Sequence, residues 1–463
     1  MLAGGLLRTK AAARPRLDQA LRLLIWLLAI AFAIRLPFFF IQGYWYDVLL
    51  FRRWAAAAYE QGLTSILSDP EIDYIAYAYV LWVIAAVVDP FVHGPLAESK
   101  ALLQAVKVPG LLGDLAVTAL LFWGVRRWLG RNPGLLGEDA RSLLARLPIP
   151  GFEGLSGADR AALAVAALYA FNVGVLYDSG YWGQTDSLVT FFMVAAVFAL
   201  LERRPVASCL LLAAGLLIKP QAVVVAPLLG LAVLRNHGFK ATAQGAAAAA
   251  AMYMGAILYF IIKAGWDPVH RVYSAILDPE SRVSVSAWNL WQPLQYYEHA
   301  RPSDVLLRAG GVAVSYETVS NLLIGLAVAL LAAYVLRSRD GHKLFIGASF
   351  LVFAFFMLPM KMHERYLFPV LALLAPAAVL ERPWLALYGV LTVTFTLNVS
   401  AIFPINKEDQ YFMHHEFSMA VTAINLASFL AMGAYLLRQA LRRDPPLRAA
   451  EPLSLPLRSS PDT

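Results

Sequence analysis

Long apolar runs separated by short polar turns recur along almost the whole chain, and they govern the reading of everything else. About 20 apolar residues in helical form cross the roughly 30 Å of hydrocarbon in a bilayer. Runs near that length fall at 20–41, 104–125, 161–178, 187–202, 205–219, 221–235, 241–262, 318–336, 344–360, 366–380, 383–403 and 417–437. The pattern predicts an all-α integral membrane protein with about twelve transmembrane helices, within a range of eleven to fourteen. The membrane unit would occupy 1–440, and a Pro- and Ser-containing disordered cytoplasmic tail would follow over 441–463.

Two longer segments interrupt the rhythm. Within 42–103 the apolar stretch 74–88 is short for a crossing, and 48–59 is amphipathic; both are expected as interfacial helices of one large external loop. The second segment, 263–317, carries Trp266, His270, Tyr273, Trp288, Trp291, Tyr296 and Tyr297, as an interfacial or ligand-binding loop would.

Charge gives the orientation. Most of the 38 Lys and Arg residues fall on the side of the N-terminus, among them Arg126, Arg127, Arg131, Arg203, Arg204 and Arg438. Both termini are therefore expected in the cytoplasm, and loops 42–103 and 263–317 outside the cell membrane. The basic start (Arg8, Lys10, Arg14, Arg16) leads into the first apolar run with no small-residue cleavage site, so no cleavable signal peptide is expected. The net charge of +7 reads as loop charge rather than nucleic-acid affinity. With 60% hydrophobic and 15% charged residues, a soluble domain is excluded. Cys209 is the one cysteine, so no intramolecular disulfide can form.

Polar clusters sit at the outer ends of these runs, and each has a plain reading beside a chemical one. Asp47, just beyond the first run, is either a general base or the N-cap of a following helix. Trp182, Gln184 and Asp186 lie in Asp178-Ser179-Gly180-Tyr181-Trp182-Gly183-Gln184-Thr185-Asp186, as sugar or acceptor contacts or as an aromatic belt with a capping Asp. Lys219, in Lys219-Pro220-Gln221, either meets a phosphate headgroup or snorkels. Lys361-Met362-His363-Glu364-Arg365-Tyr366 joins two runs with almost no loop. Lys361, His363 and Arg365 there could neutralise a phosphate, with Glu364 orienting one of them or contacting the sugar or acceptor, unless the turn simply lies in water. Trp288 and Asn289 offer a ring face and an amide to a sugar, or anchor the interface. Asp114, deep in the second run, is expected to pair inside the bundle as a structural group. Adjacent His414, His415 and Glu416 converge poorly on an ion, so no metal is expected. The chain has no Walker loop, dinucleotide fingerprint, Gly-x-Ser-x-Gly elbow or zinc spacing. No cofactor is expected, and a donor delivered within the membrane is favoured over a nucleotide sugar.

Asp47 with Phe51 and Trp54, Lys107-Val108-Pro109 with Asp114, and Trp182-Gly183-Gln184-Thr185-Asp186 fit one ordered pattern. Lys219-Pro220-Gln221, Ser286-Ala287-Trp288-Asn289-Leu290-Trp291 and His363-Glu364-Arg365-Tyr366 complete it. From about Leu36 to Ala401 the chain resembles bacterial relatives of the second GPI mannosyltransferase and, more distantly, the endoplasmic-reticulum glucosyltransferases of lipid-linked oligosaccharide assembly. These are glycosyltransferases of the GT-C class. The resemblance implies a catalytic acid group in the first external loop, mapping onto Asp47, and a polyprenyl- or dolichyl-phosphate sugar donor used on the extracytoplasmic side. It also implies Lys219, His363 and Arg365 at the donor phosphate, and Gln184 and Asp186 at the sugar or acceptor. Relatives usually carry a Tyr-Pro-Pro-Gly-Tyr type sequence in the first loop, where this chain has Tyr74-Ile75-Ala76-Tyr77-Ala78.

The expectation is thus an inverting hexosyltransferase, with mannose or glucose passing from a polyprenyl phosphate to a lipid, glycan or protein hydroxyl. A transporter or flippase of a lipid-linked saccharide or anionic solute is the alternative. A non-catalytic assembly protein would keep the spans without needing Asp47 or His363.

Overall fold

A computed structural model describes residues 18–72, 74–146, 154–277, 283–297, 300–337, 341–402 and 415–442. The basic start, the tail beyond Arg442 and His414 lie outside the described residues.

The longer helices follow the apolar runs closely. They are α1 (Gln19–Phe39), α2 (Trp45–Glu60), α3 (Tyr77–Val88), α4 (Val108–Arg131), α5 (Gly157–Ala170), α6 (Asp186–Leu201) and α7 (Pro205–Ile218). After them come α8 (Ala226–Ala264), α9 (Trp266–Leu277), α10 (Tyr316–Arg337), α11 (Gly341–Met357), α12 (Arg382–Ser400) and α13 (His415–Leu441). Their ends have local causes. The Asp18 carboxylate caps Ala20 N at 3.1 Å, Ser156 caps Asp159 N at 3.1 Å, and Pro109 occupies the first turn of α4, where a missing N–H costs nothing.

Among the described residues six helical stretches are long and apolar enough to cross a bilayer, and the bent pair Gly157–Ala170 and Val173–Trp182, taken as one span, makes a seventh. The chain is a largely helical membrane protein, but the expected twelve spans are not reached by length. α6, α7 and α11 are apolar yet shorter. The 366–380 run breaks into Pro369–Leu373 and Ala375–Leu380, where Pro376 lacks the N–H that a continuous helix needs. The expected spans 221–235 and 241–262 form one long helical segment, kinked where Gly238 takes φ +78°. Among the described residues the one sheet is small. β1 (Val305–Ala309) and β2 (Val312–Ser315) form an antiparallel hairpin turned by Gly310 and Gly311, both at positive φ.

The 42–103 segment builds a small helical layer with its own apolar core. Val48, Phe51 and Trp54 of α2 and Tyr77 and Leu81 of α3 bury there against Ile257, Phe260, Val269 and Val272 of α8 and α9. Tyr74, Phe51, Trp54 and Tyr77 lie ring against ring at about 6 Å there.

Asp114 is paired, as a carboxylate inside a bundle must be. Its Oδ2 accepts from Arg35 Nε at 2.7 Å and from Ser179 Oγ, and its Oδ1 from Tyr169 OH at 3.3 Å. Both ions are fully buried. This network ties α1, α4 and α5 to the turn that carries Trp182.

Candidate active site

Polar groups converge where α5 gives way to α6. α5 stops at Phe171, and the Asn172 amide oxygen then caps Gly174 N and Val175 N at 2.9 and 3.3 Å. Leu176–Trp182 winds as a π-helix and ends at Gly183, φ +91°. Side chains other than glycine avoid that conformation, and a Cβ there would also press on Lys107 and Val48 at 3.0 and 3.1 Å. Gly110 of α4 lets the strand of residues beyond pass: a Cβ at 110 would overlap the Gln184 carbonyl oxygen. Gly110→Ala should therefore displace residues 183–187. We expect it to cost about 1–3 kcal/mol of stability, seen as a lowered melting temperature of the purified protein; an unchanged melt would sink this account.

With that turn in place, Trp182 Nε1 and Gln184 Nε2 both donate to Asp47 Oδ2, at 2.7 and 2.5 Å. Asp47 lies in the first turn of α2, where a carboxylate is favoured, but the residue at the N-cap is Tyr44. The capping reading of Asp47 is thereby replaced. Oδ1 of Asp47 takes no hydrogen bond from the described residues.

Asp186 Oδ1 accepts from Lys219 Nζ and Gln221 Nε2, both at 2.7 Å. Lys219 is held there by extended backbone between α7 and the 3₁₀ turn Pro220–Val225, and its ammonium lies 5.9 Å from the centre of the Tyr366 ring. It does not snorkel to water, since only 4% of it is exposed. The Arg365 guanidinium sits 5.6 Å from the Trp182 ring centre and donates to Glu364 Oε1 at 2.9 Å. Glu364 is buried, so this turn does not lie in water. Four motifs far apart in sequence thus meet in one charged cluster.

His363 is pinned by bridges to Val285 and Ser286, and its Nδ1 is 3.9 Å from Glu364 Oε2. Burial, with the cations Arg365 and Lys219, holds the imidazole well below its usual range. Burial likewise pushes the Glu364 carboxyl up, with Arg365 opposing. For His363, that direction disfavours the charged ring, against the expectation that it acts as a cation.

Trp288 and Asn289 are not brought to the carboxylates. Asn289 Nδ2 donates to Phe356 O at 3.0 Å and its Oδ1 accepts from Trp291 N at 3.0 Å, so both ends of the amide are used. The Trp288 backbone bonds to Asn398 and Asn425, and its buried ring meets Phe417 edge-on. Their loop supports the His363 turn, and neither residue offers the free amide or open ring face expected of a sugar contact.

Two residues of the cluster were not singled out as contacts: Gln221, beside Lys219, and Asp178, whose carbonyl oxygen receives Gly183 N and Gln184 N at 3.1 Å. A cavity of about 490 Å³ lies at the opposite ends of α4 and α11, lined by Leu135, Glu138, Asp139, His342 and Glu381, and shares no residue with the cluster. Among the described residues no group of three His, Cys, Asp or Glu side chains could hold a metal ion.

The model of glycosyltransferase family 87 matches residues 101–360, which include Asp114, Trp182, Gln184, Asp186 and Lys219. Asp47 precedes the matched stretch and His363, Glu364 and Arg365 follow it. No curated protein matches the chain closely. Since the matched stretch covers more than half of the sequence and carries the turn on which the site is built, the chain belongs to glycosyltransferase family 87, a GT-C-like family of membrane glycosyltransferases.

Proposed function

We propose that this membrane glycosyltransferase moves one hexose, mannose or glucose, from a polyprenyl phosphate to an acceptor hydroxyl on the extracytoplasmic face of the cell membrane, with inversion at the anomeric carbon. The observation that carries the reading is the Asp47 carboxylate, clamped through Oδ2 by Trp182 and Gln184 while Oδ1 accepts no hydrogen bond from the described residues. Family membership favours an enzyme over the transporter or flippase reading. The preference for mannose, and the relation to the second GPI mannosyltransferase, rest on the motif resemblance alone.

In this mechanism Asp47 Oδ1 takes the acceptor proton as the hydroxyl oxygen attacks C1. The C1–O bond to the phosphate breaks through an oxocarbenium-like state, and polyprenyl phosphate departs with its electron pair. A phosphate of low basicity leaves without a general acid. Arg365 is the cation suited to it, because its Nε is buried with no hydrogen-bond partner among the described residues. Lys219 is already matched by Asp186, so its task is to fix that carboxylate, and His363 supplies a neutral N–H.

Radiolabelled polyprenyl-phosphate mannose and glucose, offered to vesicles containing the protein, test the proposal. Transfer from one of them supports it; transfer only from a nucleotide sugar would overturn it. The pH profile tests His363. A folded pKa well below the ordinary histidine value of about 6.5 leaves the ring neutral through that region, so His363→Gln should leave any limb near there unmoved. Loss of such a limb in the variant would contradict the assignment.

A further inference from the structure

Buried polar atoms without partners are costly, at about 1–3 kcal/mol each, so a concentration of them marks a place where something polar binds. Here they concentrate around the π-helical turn. Both carboxylate oxygens of Asp178, Oε1 of Gln184, Oδ2 of Asp186 and Oε1 of Gln221 are buried with no hydrogen-bond partner among the described residues. Asp178 itself is fully buried, and the carboxylates of Asp186 and Asp114 and the cations Lys219 and Arg365 all act on it electrostatically. Among the described residues the one orphaned nitrogen in the cluster is Arg365 Nε.

Apart from Arg365 Nε and the Thr185 hydroxyl, which is orphaned in the same turn, these atoms are carboxyl and amide oxygens. A phosphate would meet repulsion from them, and the described carboxylates do not form a metal site. What five orphaned acceptors can take is a ligand rich in O–H donors. We infer that Asp178, with Asp186 and Gln221, forms the hydroxyl-reading subsite for the donor hexose, and that Asp178 is its principal specificity residue. The inference rests on the function proposed above and extends it to the part of the donor that the site distinguishes. The division of labour follows from the atoms. Arg365 would take the phosphate, Asp47 the acceptor, and the Asp178 side would accept hydrogen bonds from the ring hydroxyls of the donor. A carboxylate that binds hydroxyls discriminates strongly, because a donor lacking the right hydroxyl leaves it buried and unpaired.

The test uses the full-length protein in vesicles and a set of polyprenyl-phosphate hexoses, each lacking one ring hydroxyl. The wild-type protein should reject one of them by about 100-fold in kcat/KM relative to the parent sugar. Asp178→Ala should reduce that discrimination to a few-fold while lowering kcat/KM for the parent sugar. Asp178→Asn, which keeps the side-chain volume, covers the case in which the alanine variant does not fold; it should shrink the same ratio and leave the other deoxy donors in their wild-type order. A uniform loss across all donors in a variant with a normal melting temperature would overturn the inference and assign Asp178 a structural part only. Unchanged discrimination in the asparagine variant would overturn it equally. Failure of the wild-type protein to use any polyprenyl-phosphate hexose would instead overturn the proposed function, and the subsite with it.

Discussion

Replacing Asp47 with asparagine should lower hexosyl transfer by about 10²–10⁴-fold, the range in which a positioned general base contributes. The substitution keeps the size of the side chain and leaves an oxygen that can still accept from Trp182 Nε1 or Gln184 Nε2, so the local fold should hold. What it removes is proton uptake. The loss should therefore fall mainly on kcat, with KM for the polyprenyl-phosphate donor changed only a few-fold, because the Arg365 guanidinium and the Asp178 side of the cluster stay in place even though Arg365 loses the nearby Asp47 charge. Asp47→Glu should recover part of the rate, limited by the extra methylene that moves the carboxylate away from its two clamps. Rates near wild type for the asparagine variant, measured with a saturating donor, would place the base elsewhere.

The largest stability effect is expected at the ion pair inside the bundle. Asp114→Ala leaves the Arg35 guanidinium buried with no counter-ion, and stability should drop by about 3–5 kcal/mol. A large fall in the melting temperature of the purified protein would report it. The double replacement Arg35→Met with Asp114→Leu should recover much of the loss, since removing both charges also removes the desolvation cost. Activity in that variant should stay below wild type. Ser179 would lose the Asp114 acceptor that tethers it, and the same π-helical turn carries Trp182. A melting temperature within a degree or two of wild type for Asp114→Ala would show that the pair contributes little.

The helical runs were legible because hydropathy is a local property. Each apolar stretch announces itself within about 20 residues, whatever its neighbours do. α1, α4, α10, α12 and α13 accordingly lie close to the runs that predict them. Counting crossings was harder. Pro376 breaks one run and Gly238 bends another, and α6, α7 and α11 are short, so the same apolar residues yield fewer full-length spans than the runs suggest.

The candidate site was legible only as a set of unusual residues. Asp47, Trp182, Gln184, Asp186, Lys219, Glu364 and Arg365 stand out because hydrocarbon excludes such groups, and the structure joins all seven through hydrogen bonds and ring contacts. Trp288 and Asn289 stand out for the same reason, yet they hold a turn. Composition cannot separate an amide that reads a ligand from one already bonded to Phe356 O and Trp291 N. Asp178 shows the reverse case, since nothing in its sequence neighbourhood says that both its oxygens lack partners among the described residues.

From the amino-acid order alone came the membrane, the helices and the residue types able to bind and transfer a sugar, because each depends on which atoms water or lipid will accept. Which of those residues meet, which are already paired and which are left with unused oxygens was decided by packing. Hydrogen bonds between residues more than a hundred positions apart exist only once the helices that carry them have come together.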